Sequence, residues 1–112
     1  MRPFVLSRDA FQILVALADC DRHGYSIMQE IRERTGGDVR LSPSSLYGAI
    51  RRLLEQGLID ELEDRPDPAH DDERRRYYCL TKAGRRAAAE EARRLEKLLS
   101  DARSSGLVPR KA

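Results

Sequence analysis

The stretch LSPSSLYGAIRRLLEQGLI, residues 41–59, carries its own start and stop signals. Ser42 can accept an N–H hydrogen bond as an N-cap. Pro43 suits a first helical turn, because the donor it lacks would be unpaired there anyway. Gly57 ends the helix. Between these marks Leu46, Ala49, Ile50 and Leu53 recur at helical spacing and define one buried face, with Leu54 at its edge. Taking Leu46 as inward and stepping about 100° per residue, Ser44, Gly48, Arg51 and Glu55 project outward, flanked by Tyr47 and Arg52. A mid-helix glycine costs about 1 kcal/mol relative to alanine, so its place on an outward face needs a reason.

The rest of the chain sets the context. At 112 residues it is read as one domain, burying roughly two-thirds of its unfolded surface. Charged residues make up 36% and aromatics 5%, so the core must be mostly aliphatic. A first helix is expected from about Ser7 to Ala18, with Phe11, Leu14, Leu17 and Ala18 periodic and Ile13 and Val15 widening the stripe. DCDRHG breaks it. A second helix follows from about Tyr25 to Arg34, with Ile27, Met28 and Ile31 apolar and Gly36-Gly37 stopping it. Beyond Gly57 the pattern changes. Leu58–Glu63 and Arg75–Leu80 read as two strands, joined by DRPDPAHDDE as a long hairpin whose tip is expected to be mobile. Thr81 then caps a last helix, about Lys82 to Arg103, roughly 33 Å long.

The order helix, helix, helix, strand, strand, helix is that of a winged helix-turn-helix: mainly α with a small β-hairpin, plus a C-terminal helix. In that fold the third helix enters a DNA groove, which gives the outward face its reason. Small residues allow close backbone approach, serine hydroxyls and the helix N-terminus suit phosphate, and Arg51 can fork onto guanine or a phosphate. The alternative is a plain surface helix with a loose glycine. The net charge of +2 does not by itself imply nucleic acid, but its distribution is segregated. Residues 60–73 hold eight acidic side chains against one arginine, whereas arginines run together at 74–76, 85–86 and 93–94.

HGYSIMQEI, LSPSSLYGAIRRLLEQGLI and RRRYYCLTKAG, in this order and spacing, resemble the PadR family of transcriptional regulators over roughly residues 7–103. The most specific elements are Leu46-Tyr47, Arg52-Leu53 with Gly57-Leu58-Ile59, and YYxLTxxG from Tyr77 to Gly84. The resemblance implies a homodimeric DNA-binding repressor of the short form, with residues 1–81 as the DNA-binding domain and 82–103 as a dimerisation helix. Leu54 departs from the pattern, where an acidic residue is frequent, and so does the acidic hairpin tip, which points to the base of the wing as its working part.

The expected DNA-binding set is Ser44, Ser45, Tyr47, Gly48, Arg51, Arg52, Tyr25, Arg74, Arg75 and Arg76. For the three wing arginines the alternative is charge balance against the neighbouring acids. For Tyr25 and Tyr47 it is core packing. Tyr78 and Leu80 are expected inside, opposite Arg75, Tyr77 and Cys79. In the last helix Ala88, Ala92, Leu95, Leu99 and Ala102 follow a 4-3-4-3 spacing, widened by Leu98, as in a seam between two paired helices. A lone amphipathic helix spending that stripe on its own core is the alternative.

Other chemistry finds little support. Cys20 and Cys79 have no paired spacing and read as reduced buried thiols. His23 belongs to the second helix's turn, and His70 beside Asp71, Asp72 and Glu73 sits in a loop without fixed coordination geometry, so no metal or cofactor is expected. Phosphate-loop, GxSxG and HExxH motifs are absent, which argues against an enzyme. No apolar run reaches the ~20 residues of a membrane span and no signal segment is visible, so a cytoplasmic chain is expected. The expected partners are double-stranded DNA and a second copy, with a small-molecule effector at the dimer interface as a further reading. A protein-interaction adaptor is the rival from another class. Residues 104–112 form a tail, either native or a protease-site linker, and carry no functional argument.

Overall fold

The structure is a computed structural model that describes residues 6–62, 65–67 and 70–109; over 65–67 and 70–75 the backbone alone is described. Its elements in order are α1 Arg8–Ala16, β1 Arg22–His23, α2 Gly24–Arg34, α3 Pro43–Glu55, β2 Ile59–Glu61, β3 Arg65–Asp67, β4 His70–Arg75, β5 Tyr77–Leu80 and α4 Lys82–Ser104.

Local chemistry starts each helix. Ser7, Ser42 and Thr81 accept hydrogen bonds from the amides of Ala10, Ser45 and Gly84, satisfying donors that the first turn leaves orphaned. α3 closes in a Schellman turn. Gly57 adopts φ 73° and donates to the Leu54 carbonyl, while the Leu58 amide reaches back to Leu53. α1 stops at Ala16 rather than Ala18, and arginines serve its end. Arg22 Nε donates to the Ala16 carbonyl at 2.7 Å, and Arg85 to the Ala18 carbonyl at 3.1 Å.

The strands differ from the expected pair. β5 is central in a three-stranded antiparallel sheet, between β1 and β2. β1 lies inside the segment read as a breaker. It is two residues long and joins by backbone pairing of Arg22 with Tyr78 and His23 with Tyr77, so no side-chain alternation announces it. The expected second strand is interrupted at Arg76, and the supposed loop holds a separate ribbon, β3–β4, with a register shift at Pro66/Asp67. A two-stranded ribbon pairs through backbone groups and needs no apolar period. The expectation of a mobile tip falls at residues 68–69, outside the described residues.

The core is aliphatic apart from Tyr78: Leu6, Ile13, Leu14, Leu17, Ile27, Ile31, Leu46, Ile50, Leu53, Leu58 and Ile59 are all buried. Tyr78 points inward as expected, and Leu80 packs partly against the same cluster. Tyr77 and Cys79, expected on the open side, are half-buried, with the His23 ring edge-on to Tyr77 at 5.4 Å between centroids. The buried-thiol reading fails for Cys20, which is exposed in the connection after α1, while Cys79 is half-buried.

α4 meets this core most tightly at its first turn. The Thr81 amide donates to the Leu58 carbonyl at 3.2 Å. Its hydroxyl donates to the Gly57 carbonyl at 2.8 Å and accepts from the Gly84 amide at 3.0 Å. Gly84 sits so close to Leu58 that a Cβ there would overlap the Leu58 carbonyl oxygen. Ala83, Ala87 and Ala88 continue the contact, and beyond Ala88 most of the helix is exposed. On its open flank Arg94 grips Glu91 through two bonds of 2.8 and 2.6 Å, and that hydrogen bonding holds the Glu91 carboxyl below the usual carboxylate range. The molecule extends to 54 Å along its longest axis, with a radius of gyration of 16.0 Å. A compact chain of this length would have about 13 Å.

Gly84→Ala therefore opposes two effects. Alanine favours the helix by about 1 kcal/mol, but forcing a methyl into a filled contact costs about 1–3 kcal/mol or more. Urea unfolding is expected to show a lower midpoint, and a raised midpoint would mean that the joint yields without cost.

Candidate nucleic-acid interface

The N-terminus of α3 carries a group of three exposed hydroxyls. Ser42 Oγ lies 3.0 Å from Ser45 Oγ and 3.4 Å from Ser44 Oγ, and it also accepts from the Ser45 amide. Pro43 has no amide proton, so the exposed donors here are few and directed, beside the positive end of the helix dipole. From there the outward row runs down Ser44, Gly48, Arg51 and Glu55, with Leu46, Ala49, Ile50 and Leu53 buried behind it. The expected inward and outward faces are both present.

Gly48 needs no glycine for the fold. A Cβ at this position would meet only Arg52 Nη1, at 3.7 Å, an ordinary contact. Gly24 is the opposite case. A Cβ there would collide with the Tyr47 ring and hydroxyl, so the first residue of α2 and the fifth residue of α3 fit together only because residue 24 has no side chain. Tyr47 is thus seated on α2 while remaining 46% exposed, and Tyr25 beside it is 50% exposed. Neither is a core residue.

The start of α2 is fixed by His23, a role that sequence reasoning missed. His23 Nδ1 accepts from the Ser26 amide at 3.2 Å, and Ser26 Oγ donates back to the His23 carbonyl at 2.9 Å. Ser, Thr, Asp and Asn are the usual caps, so a histidine gives little signal. Gly24 was missed too, since its contact lies 23 positions away along the chain.

The arginines divide. Arg22 and Arg34 are held by Glu30 at 3.8 and 3.5 Å, and Arg34 also donates to Gln12 Oε1. Arg51 and Arg52 are exposed, with no ion pair among the described residues. In the wing, Arg76 is exposed and pairs with Glu61 of β2 at 3.3 Å. The side chains of Arg74 and Arg75 lie outside the described residues, as does that of His70. Among the described residues no group of three or more His, Cys, Asp or Glu is placed to hold a metal ion. No described helix is long and apolar enough to cross a membrane.

Along α4 the expected seam splits. Ala88 packs against the chain's own core and Ala102 is half-buried. Ala92 is exposed, and so are Leu95, Leu98 and Leu99, at 38, 55 and 40%.

Comparison with known proteins agrees with this architecture. A transcriptional regulator of Mycobacterium tuberculosis is 39% identical over 98 residues, 88% of this chain and 85% of that protein. A 37.1 kDa protein carried on a Streptomyces fradiae transposon is 41% identical over 86 residues, 77% of this chain; the match spans only 22% of that longer protein. Among solved structures, a PadR family regulator of Clostridium difficile superposes with a TM-score of 0.75 at 22% identity, covering 88% of this chain and 97% of that one. Bacillus subtilis PadR, solved in complex with operator DNA, gives 0.64 at 20% identity over 74% of this chain and 45% of that one. Both structures share the winged-helix fold. The model of the PadR-like transcriptional regulator family matches residues 13–90, and the chain belongs to that family.

Proposed function

We propose that this regulator is a repressor that binds a pseudo-palindromic operator in the cytoplasm as a homodimer, through α3 and the base of the wing. The observation that carries the reading is Gly48. The fold leaves space for a side chain there, yet the helix keeps its least favourable ordinary residue on a face with two arginines free of ion pairs among the described residues. A surface that must lie against a groove has use for such a gap, and a solvated surface has none. The homodimer is supported by the leucines of α4, which stand exposed on a helix projecting from the core. Two protomers paired along that stripe would relate their α3 helices by a two-fold axis and suit half-sites about 34 Å apart.

A mobility shift against the chain's own promoter region separates this reading from a protein-interaction adaptor, which would shift no duplex. Within it, Arg51→Ala is expected to weaken operator binding by about 1–3 kcal/mol and relax preference at one position per half-site. A uniform loss across sequences would make Arg51 a phosphate contact instead.

Two substitutions at Gly48 test the gap. Gly48→Ala should raise stability by about 0.5–1 kcal/mol in thermal or urea unfolding, since the site accepts a methyl group. Gly48→Leu should fold and lose operator affinity. Retained affinity in the leucine variant would defeat close approach by this face.

Leu95→Glu combined with Leu99→Glu should leave the winged domain helical by circular dichroism while sedimentation shows a monomer and operator binding disappears. Each half-site alone is weak, and joining two raises effective concentration steeply. A double variant that stays dimeric would place the interface elsewhere.

A further inference from the structure

Beside α3 lies a pocket of about 200 Å³ that none of the above explains, lined by Tyr25, Met28, Gln29, Arg32, Arg40 and Leu41. Residues 25, 29 and 32 fall on one face of α2, at i, i+4 and i+7. The opposite wall is the segment that leads into the α3 N-cap, with Arg40 two positions before Ser42. Of its lining, Met28 and Leu41 are half-buried, while the four polar residues are exposed.

The charges around the pocket are unusual for this molecule. Six arginines lie between residues 22 and 55. Arg22 and Arg34 are tied to Glu30. The other four form no ion pair among the described residues: Arg51 and Arg52 on the outward side of α3, and Arg32 and Arg40 on the two walls of the pocket. Arg40 Nε donates to the Gly37 carbonyl at 3.2 Å, which anchors the guanidinium to the turn after α2 and commits one of its five donors. Two guanidinium groups lining one small cavity repel each other, and an anion between them removes that cost. The guanidinium fork fits phosphate oxygens in particular, and the Tyr25 hydroxyl and Gln29 amide add neutral donors on the same wall.

We propose that Arg32 and Arg40, with Tyr25 and Gln29, hold a backbone phosphate of the DNA flanking the half-site, widening the interface beyond α3 and the wing. The site rests on the DNA-binding reading above and deepens it. It fixes the position of α3 on the duplex and carries no base preference of its own, because every phosphodiester offers the same oxygens.

The test is the salt dependence of binding by the full chain, measured for wild type and R32A/R40A on the operator and on an unrelated duplex. Each phosphate released removes about 0.9 from the slope of log K against log salt, so the slope should fall by about 0.9 per bound protomer on both duplexes, with operator preference unchanged. R32K/R40K, which keeps the charge, should keep most of the slope. Ethylation of one flanking phosphate per half-site should weaken wild type and leave R32A/R40A indifferent. Thermal melting verifies that the variants are folded. An unchanged slope in R32A/R40A with binding intact overturns this site alone, and so does a loss of operator preference with the slope retained, which would put the arginines on bases. A wild-type chain that binds no duplex overturns this site together with the wider reading.

Discussion

The Thr81 hydroxyl holds two halves of the molecule together. It donates to the carbonyl of Gly57, just past the end of α3, and accepts from the amide of Gly84, in the first turn of α4. One side-chain oxygen therefore caps one helix and serves the end of another, something only a group that both donates and accepts can do. The Leu58 carbonyl completes the joint by accepting the Thr81 amide and lying hard against Gly84. Gly57 makes the approach feasible by turning the chain through a positive φ, which delivers Leu58 and Ile59 into the core and starts β2.

The outward side of the molecule is organised from the same interior. α3 buries Leu46, Ala49, Ile50 and Leu53 on one face, and this turns the row Ser44, Gly48 and Arg51 to the other. Tyr47 rests on Gly24, which locks the angle between α2 and α3 by shape rather than by a hydrogen bond. The cap at His23 and the sheet pairing of the same residue with Tyr77 hold the start of α2 in place. The face on which function is proposed is thus supported by packing on two sides and kept open on the third.

Much of this was legible in the residues. Ser42-Pro43 at one end and Gly57 at the other bracket α3, and the apolar spacing between them gives its inward face, because capping chemistry and helical period are local properties. Thr81 gave α4 its start for the same reason. What stayed hidden depends on partners far along the chain. β1 is two residues whose only signal is backbone pairing to β5. The fit of Gly24 under Tyr47 joins two helices, and the pocket between Arg32 and Arg40 forms only when the turn folds back over α2. The stripe on α4 was visible, but not its division between Ala83, Ala87 and Ala88, spent on the core, and the exposed leucines beyond. A helix's own periodicity tells which residues share a face and is silent on where along its length the neighbour ends.

The hydrogen bonds and close contact gathered at Thr81 make α4 a lever arm. The helix is continuous for 23 residues, about 34 Å at the usual rise, and its fulcrum is bonded directly to the trailing end of α3. A tilt of roughly 10° about that fulcrum sweeps the far end through about 6 Å over such an arm. Gly57, whose carbonyl accepts the Thr81 hydrogen bond, directly follows the C-cap of α3, so the far end of α4 and the outward row of α3 share one hydrogen-bonded joint.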